Sequence, residues 1–512
     1  MTNHPEMSTL PDGTALYPEQ LTPEPGESMM KTAIQRVLDH FEQISRIPRC
    51  SKNEAAVARW FESWAGAHGW PSRRDPAGNL LITVPASAGC EQAPVVVIQG
   101  HLDMVCEKRP ESAHDFARDP IRIVRDGDWM HADGTTLGAD NGVALALGAA
   151  IAEDSELRRP PIELLFTVDE ETGLTGAKRL SPGFFEGRLL INLDSETEGV
   201  FTVGCAGGRD VQIHRELPFE PIPQGHRWMQ LTVGGLCGGH SGIDIHRQRA
   251  NANKLLARTL RVLMQAGDLR LTALSGGSKR NAIPRNARAV VACRPEDAES
   301  LRRQTAQWAE RFRCEFPSEP SLEVLLSELP AAGPDPTAMS PQAAALVVNL
   351  LLALPHGVAQ MSPAFADLVL TSNNLASVAT VDRRLEVATS QRSLVDSGLD
   401  AMSEEVRAVA ALAGAGTHTE SEYPPWTPNL ASPLLGRCRE VYRSLTRKDP
   451  EVRALHAGLE CAVIGRTCPG LDMISIGPTT ENAHSPTERL HVPSLARIAE
   501  FLRALLTSLT EK

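Results

Sequence analysis

No two cysteines in this chain are spaced Cys-x-x-Cys, and the nearest pair is Cys461 and Cys468. Ten scattered cysteines in 512 residues predict free thiols in a reducing compartment. They argue against a disulfide-stapled scaffold and against a closed structural zinc site built on thiolates. There is no run of Lys or Arg either. With 51 basic against 63 acidic residues the formal net charge is −12, which argues against a nucleic-acid backbone as partner. No apolar run approaches the length that spans a bilayer. The opening "MTNHPEMSTLPDGTALYPEQLTPEPGESMM" has neither a basic start nor an apolar middle, so it is no secretory signal. Polar and Pro-rich, residues 1–30 read as a disordered tail, and Met29-Met30 marks a candidate alternative start. The expectation is a cytoplasmic protein with neither membrane nor nucleic acid as partner.

What is present is the composition of a globular protein, 42% hydrophobic and 22% charged, in a chain too long for one core. Apolar residues at three- and four-residue spacing predict helices in "AIQRVLDHFEQISRI" and "NEAAVARWFESWAGAHG". Short apolar runs follow ("NLLITV", "PVVVIQGHLDMV", "IELLFTV", "LLINLD"), with helices such as "NGVALALGAAIAED" between them. Continuous rather than alternating apolar strands predict a sheet buried on both faces. From residue 207 the texture changes. "GRDVQIHREL" and "RWMQLTVGG" alternate, as half-exposed antiparallel strands do. Strands and helices then run twice in a similar order, which predicts a two-layer α+β segment with two similar halves. After the Pro-rich "EYPPWTPN", helix–strand alternation returns and is expected to complete the first sheet. The expected organisation is an α/β domain over 31–206 and 399–512, interrupted by an inserted α+β domain over 207–398.

Acids and histidines fall where the strands end. They are His101 and Asp103 in "QGHLDMV", Asp140 in "LGADNG", Glu170 and Glu171 in "VDEETG", Asp194 in "INLDSE", and His484 in "ENAHSP". Open α/β sheets bind ligands outside the carboxyl ends of their strands, so one sheet can gather these residues. Carboxylates with imidazoles suit zinc, and also manganese or cobalt. So many ligands exceed what one open catalytic zinc takes, but they suit two ions sharing a bridging carboxylate. The three adjacent acids of "FTVDEETG" make electrostatic sense opposite cations. Consecutive residues at a strand end point different ways. One of Glu170 and Glu171 can therefore be a ligand while the other serves the attacking water as general base. Asp169 has no such requirement and is given a structural role. His101 and Asp103 share one side of a strand, where the carboxylate can orient the imidazole. Each piece alone has a bland alternative, a solvated acidic turn or a surface histidine. The ordered set at strand–loop junctions favours the metal reading. His114, His131, His456 and His491 are expected to be structural.

The same motifs, with "GTTLGADNGVALAL", "GCAGG", "GGHSG", "RANANKLL", "RNAIPR", "RSLVDSG", "HAGLEC" and "SIGPTTENAHSP", resemble the M20 peptidase family. Within it they are similar to the aminoacyl-histidine, or cytosolic non-specific, dipeptidases. The similarity runs from about 33 to 508. It implies a zinc-peptidase α/β domain with a mixed, mainly parallel sheet, interrupted by a ferredoxin-like α+β lid that also serves homodimerisation. It implies two Zn2+ per chain, replaceable by Mn2+ or Co2+. Asp140 would bridge them and be joined to Asn141 by a cis peptide bond. His101 and Asp194 would complete one site, and Glu171 and His484 the other. Glu170 would be the general acid/base and Asp103 would support His101. In the lid, His240 would stabilise the oxyanion, while Asn281 and Arg392 would grip the substrate's carboxylate. The implied substrates are small unblocked peptides, Xaa-His dipeptides such as β-alanyl-histidine among them. Hydrolysis of N-acyl amino acids on the same metals is the alternative activity. A non-catalytic binding protein on this fold would normally lack a ligand or the base, and none is missing. "GIDIHRQ" and Arg249 depart from the family pattern, which leaves substrate preference open.

Overall fold

The computed structural model of the chain describes residues 25–330 and 336–511. Its first helix, Pro25–Ser45, begins inside the expected tail, while residues 1–24 lie outside the described residues. Val37, Leu38, Phe41 and Ile44 recur at helical spacing and are buried, and the helix packs against Ala139–Ala152.

Eight strands form the first sheet. Their order is Ser72–Arg74, Leu80–Val84, Ile162–Thr167, Val96–His101, Leu189–Asn192, Asp472–Ser475, Val200–Cys205 and Glu451–Leu455. The centre is parallel, with Val96–His101 flanked by Ile162–Thr167 and Leu189–Asn192. Every residue of Val96–His101 and of Ile162–Thr167 is buried, Gln99 and Glu163 included, as in a sheet covered on both faces. His101 pairs in register with Thr167, and Gln99 with Asn192. The three strands therefore end along one edge, and the residues just beyond them meet there. The last stretch of the chain returns to this sheet through Glu451–Leu455 and Asp472–Ser475.

A small antiparallel sheet, not expected from the sequence, joins Thr480–Glu481, Arg489–His491, Trp129–Ala132 and Ile123–Asp126. It carries the loop with His484 back to the first half of the chain.

The second large sheet is antiparallel throughout and has nine strands, the first Gly207–Glu216 and the last Gly416–Tyr423. Arg227–Gly234 alternates buried and half-exposed residues, as the sequence alternates. Helices Ala252–Ala266, Ala298–Glu315, Pro341–Ala353 and Asp396–Leu412 pack on its apolar side. The expected break at 398 falls too early. Helix Asp396–Leu412 lies on strands Gly207–Glu216 and Arg384–Ser393, and Gly416–Tyr423 extends the sheet beside Gly207–Glu216. That last strand, "GTHTESEY", is polar and mostly exposed, so it carries no apolar signal.

The cysteine expectation is corrected at one pair. Cys50 and Cys106 form a disulfide with their Cα atoms 5.7 Å apart. Met104 bridges to Cys50 where the chain leaves strand Val96–His101, which brings together two residues 56 apart in sequence. The other eight cysteines are free. No helix among the described residues is long and apolar enough to cross a membrane.

Candidate active site

His101, the last residue of its strand, is 1% exposed in its side chain. Its Nε2 stands 3.0 Å from Asp140 Oδ1 and 3.3 Å from Asp194 Oδ1. His484 Nε2 stands 3.0 Å from Asp140 Oδ2 and 3.0 Å from Glu171 Oε2. A ring nitrogen carries at most one proton, yet each faces two carboxylate oxygens. Asp140 gives one oxygen to each imidazole. The second oxygen of Glu171 is buried with no partner, an open donor position. Two groups of metal-capable atoms result, His101–Asp140–Asp194 and Asp140–Glu171–His484. They share Asp140, and a donor set of imidazole and carboxylate fits a divalent ion of the zinc type. Glu170 joins His101 and Glu171 in an adjoining group.

Burial, with Asp194, Glu171 and Glu460 nearby, pushes the Glu170 carboxyl well above the usual range, against the pull of His101. Burial lifts Asp194 to about 7, with His101 opposing. Asp140 is buried too, but hydrogen bonds from His101 and His484 hold it well below the carboxylate range. His484, bonded to Asp140 and Glu171, is pushed up to about 11. Bound cations would stand where these imidazole protons do, since a histidine must be unprotonated to be a ligand.

Backbone contacts fix this geometry. Asp103 Oδ1 accepts the Glu170 amide at 3.0 Å, and its Oδ2 accepts the Glu171 amide at 3.2 Å and the Ser51 hydroxyl at 2.8 Å. Its Oδ1 also faces His101 Nδ1 at 3.3 Å, so one carboxylate orients both the imidazole and the acid turn. Asp169 has a left-handed φ of 51°, and its Oδ1 accepts the Thr172 hydroxyl at 2.6 Å. Asn141 ties two strand ends together, accepting the His101 amide at 3.2 Å and donating to the Leu193 carbonyl at 2.9 Å. The peptide bond between Asp140 and Asn141 is cis.

The candidates in the second domain lie apart from the carboxylates. His240 Nδ1 accepts the amides of Gly242 and Ile243 at 3.2 and 3.1 Å, so the ring proton sits on Nε2. Burial, then the neighbouring Arg392, lowers its pKa to about 4. It is a neutral donor at pH 7. Arg392 is 8% exposed; Nη1 donates to the Tyr423 hydroxyl at 2.9 Å, and Nε has no partner. Asn281 is exposed; its carbonyl accepts the Ser241 amide at 2.8 Å, beside His240. A cavity of about 860 Å³ is lined by His240, Asn281, Lys279 and Arg285, and by no residue of the carboxylate cluster. His456, given only a structural role by sequence, is buried here. Its Nε2 pairs with the Ser372 hydroxyl at 2.7 Å, and its carbonyl is where a side chain on Gly242 would stand. Tyr423 was also missed, since it belongs to no periodic or motif-like pattern, and Asn141 was singled out for its peptide bond and not for its side-chain bonds.

Residues 97–508 match the family model described as peptidase family M20/M25/M40. Over 479 residues the chain is 39% identical to the cytosol non-specific dipeptidase of Escherichia coli K12, covering 93% of this chain and 98% of that one. The crystal structure of aminoacylhistidine dipeptidase from Vibrio alginolyticus aligns with a TM-score of 0.84 at 38% identity, over 93% of this chain and 97% of its own. An aminopeptidase of Bacillus cereus shares the fold at a TM-score of 0.54 and 16% identity, over 93% of this chain and 99% of its own. With the family match spanning most of its length, the chain belongs to peptidase family M20/M25/M40.

Proposed function

We propose that this chain is a cytoplasmic two-metal dipeptidase that hydrolyses unblocked dipeptides, Xaa-His among them. One observation carries the reading: Asp140 offers one carboxylate oxygen to each of two imidazoles, and each imidazole meets a second carboxylate. His101, Asp140 and Asp194 would hold one ion, and Asp140, Glu171 and His484 the other. Zinc suits the donors, and manganese or cobalt can replace it. The substrate class follows from similarity to a cytosol non-specific dipeptidase along nearly the whole chain.

Ions held there supply Lewis acidity toward the scissile carbonyl and ease deprotonation of the attacking water. The chain's own residues supply the rest. Glu170 takes the proton of the water and hands it to the leaving amine; burial, which raises its affinity for protons, suits it to that task. Asp103 keeps Glu170 and His101 in place through the Glu170 amide and the imidazole. His240 donates its Nε2 proton to the oxygen that becomes negative in the tetrahedral state. Arg392 and Asn281 hold the dipeptide carboxylate, Arg392 through its planar fork. The inserted domain, read as a ferredoxin-like lid, closes to exclude water, and it also provides the surface for a homodimer.

The test is a substrate panel run after chelation, with Zn, Mn or Co restored. Turnover of Xaa-His and other free dipeptides is expected. Turnover of N-acetyl or N-succinyl amino acids without dipeptides overturns the reading in favour of an acylase. Light scattering measures the dimer independently.

A further inference from the structure

Glu488 belongs to no motif so far used. We infer that it is a positioning residue for the metal centre, locking the segment that carries His484 to the turn that carries Asp140. The inference rests on the two-metal reading above.

Glu488 is 2% exposed, although a charged side chain is rarely buried without partners. It has three partners, all of them backbone. Oε2 accepts the amides of Leu137 at 2.8 Å and Gly138 at 3.0 Å, and Oε1 accepts the amide of Asp140 at 3.2 Å. Leu137 and Gly138 precede helix Ala139–Ala152 and Asp140 lies in its first turn, so no helical carbonyl is available to these amides. A carboxylate satisfies such donors better than a neutral group does.

The turn is gripped from its other side by Arg49, also 2% exposed. Its Nη2 donates to the Gly138 carbonyl, and its Nη1 donates to the carbonyls of Leu102 at 3.2 Å and Asp103 at 2.7 Å. Gly138 has a left-handed φ of 70°, and a Cβ there would lie 2.6 Å from Arg49 Nη2 and 2.7 Å from the Met104 sulfur. There is room for the backbone alone.

The two grips hold different things. Arg49 ties the Asp140 turn to the end of the His101 strand, and Asn141 ties it again to His101 and to Leu193. The site of His101, Asp140 and Asp194 therefore keeps its geometry without Glu488. His484 is held less firmly. Its side chain is 51% exposed, and it sits at the tip of the hairpin between Thr480–Glu481 and Arg489–His491. Glu488, four residues on, is the hairpin's direct bond to the Asp140 amide. Losing it should loosen the site of Asp140, Glu171 and His484 and spare the other.

The experiment compares the full-length protein with Glu488→Gln. Gln has the same shape, but sets an NH2 against backbone donors. After chelation, zinc alone is titrated against a competing chromophoric chelator, and melting temperature is recorded alongside. Two ions are expected for the parent protein. In the variant one site should weaken 10–100-fold, the range known for groups that orient ligands, and the other should stay within about threefold. Excess zinc should restore kcat. Unchanged affinities, or equal weakening of both sites, overturn the inference even if the melting temperature falls. A parent protein that binds fewer than two ions overturns the two-metal reading instead. If Glu488→Gln does not fold, Glu488→Asp is titrated, and the same one-sided loss is required of it.

Discussion

Reducing the bond between Cys50 and Cys106 opens a covalent loop of 56 residues in the unfolded chain. In the loop-entropy description, a closure of that length restricts the unfolded state by about 14 cal/mol/K, or about 4 kcal/mol at 25 °C. The folded state loses little beside the bond itself. The Met104 amide still donates to the Arg49 carbonyl at 3.1 Å, and Ser51 still donates to Asp103 at 2.8 Å. The cost should therefore appear as stability rather than as activity. Spread over roughly 270 residues of the α/β domain at about 2.1 cal/mol/K each, it lowers the melting temperature by about 7 °C. Scanning calorimetry with and without a dithiol reductant measures this, and a Cys50→Ser, Cys106→Ser double variant should melt where the reduced parent does. Ten free thiols counted after reduction establish that the bond has opened. A shift below 2 °C at that count, or a tenfold loss of kcat at 25 °C, would refute the reasoning.

Three further outcomes are expected. Glu170→Gln should lower kcat by about 10²–10⁴, the usual worth of a general acid/base, with metal content unchanged by elemental analysis; retained turnover sinks the assignment. His240→Ala should lower kcat by about 10²–10³, as loss of one oxyanion donor does, and should move KM less; the reverse split in steady-state kinetics makes His240 a binding group. His456 is buried and its folded pKa is pushed down to about 3, first by burial and then by Arg392. The unfolded chain takes up that proton first, so the contribution of neutral His456 is whole above pH 6.5 and declines as pH falls toward 3. From pH 6.5 to 5 the loss is about 2 kcal/mol. Urea melts at pH 7.5 and 5 should show it, and His456→Gln should flatten it; an equal slope in that variant assigns the titration elsewhere.

The sequence made the strands legible, and with them the ends where chemistry collects. His101, Glu170, Glu171 and Asp194 follow runs that are mainly apolar rather than alternating, and such runs fit a sheet covered on both faces. The parallel register then fixed their meeting place, because His101 pairs with Thr167 and Gln99 with Asn192. Elementary geometry separates Glu170 from Glu171, since neighbouring side chains diverge, but which of them meets the second imidazole was implied by the family resemblance alone. Glu171 meets His484, while Asp169 turns back to Thr172. The groups that hold these residues were not legible, and for one physical reason. Glu488, Arg49 and Asn141 bond to backbone atoms, and every residue but proline offers the same amide and carbonyl. Such contacts leave no periodicity and demand no particular residue at the other end. The disulfide escaped notice similarly, because its partners are brought together by a bridge between Cys50 and Met104 that only the fold defines. Strand Gly416–Tyr423 lies at a sheet edge, where polar residues stay in water and the alternation that marks a strand is lost. Patterns in sequence record where apolar surface is buried. The polar bonds that turn a cluster of acids into a site are recorded only where a special backbone is needed, as at Gly138, where a left-handed φ and the Arg49 guanidinium leave no space for a side chain.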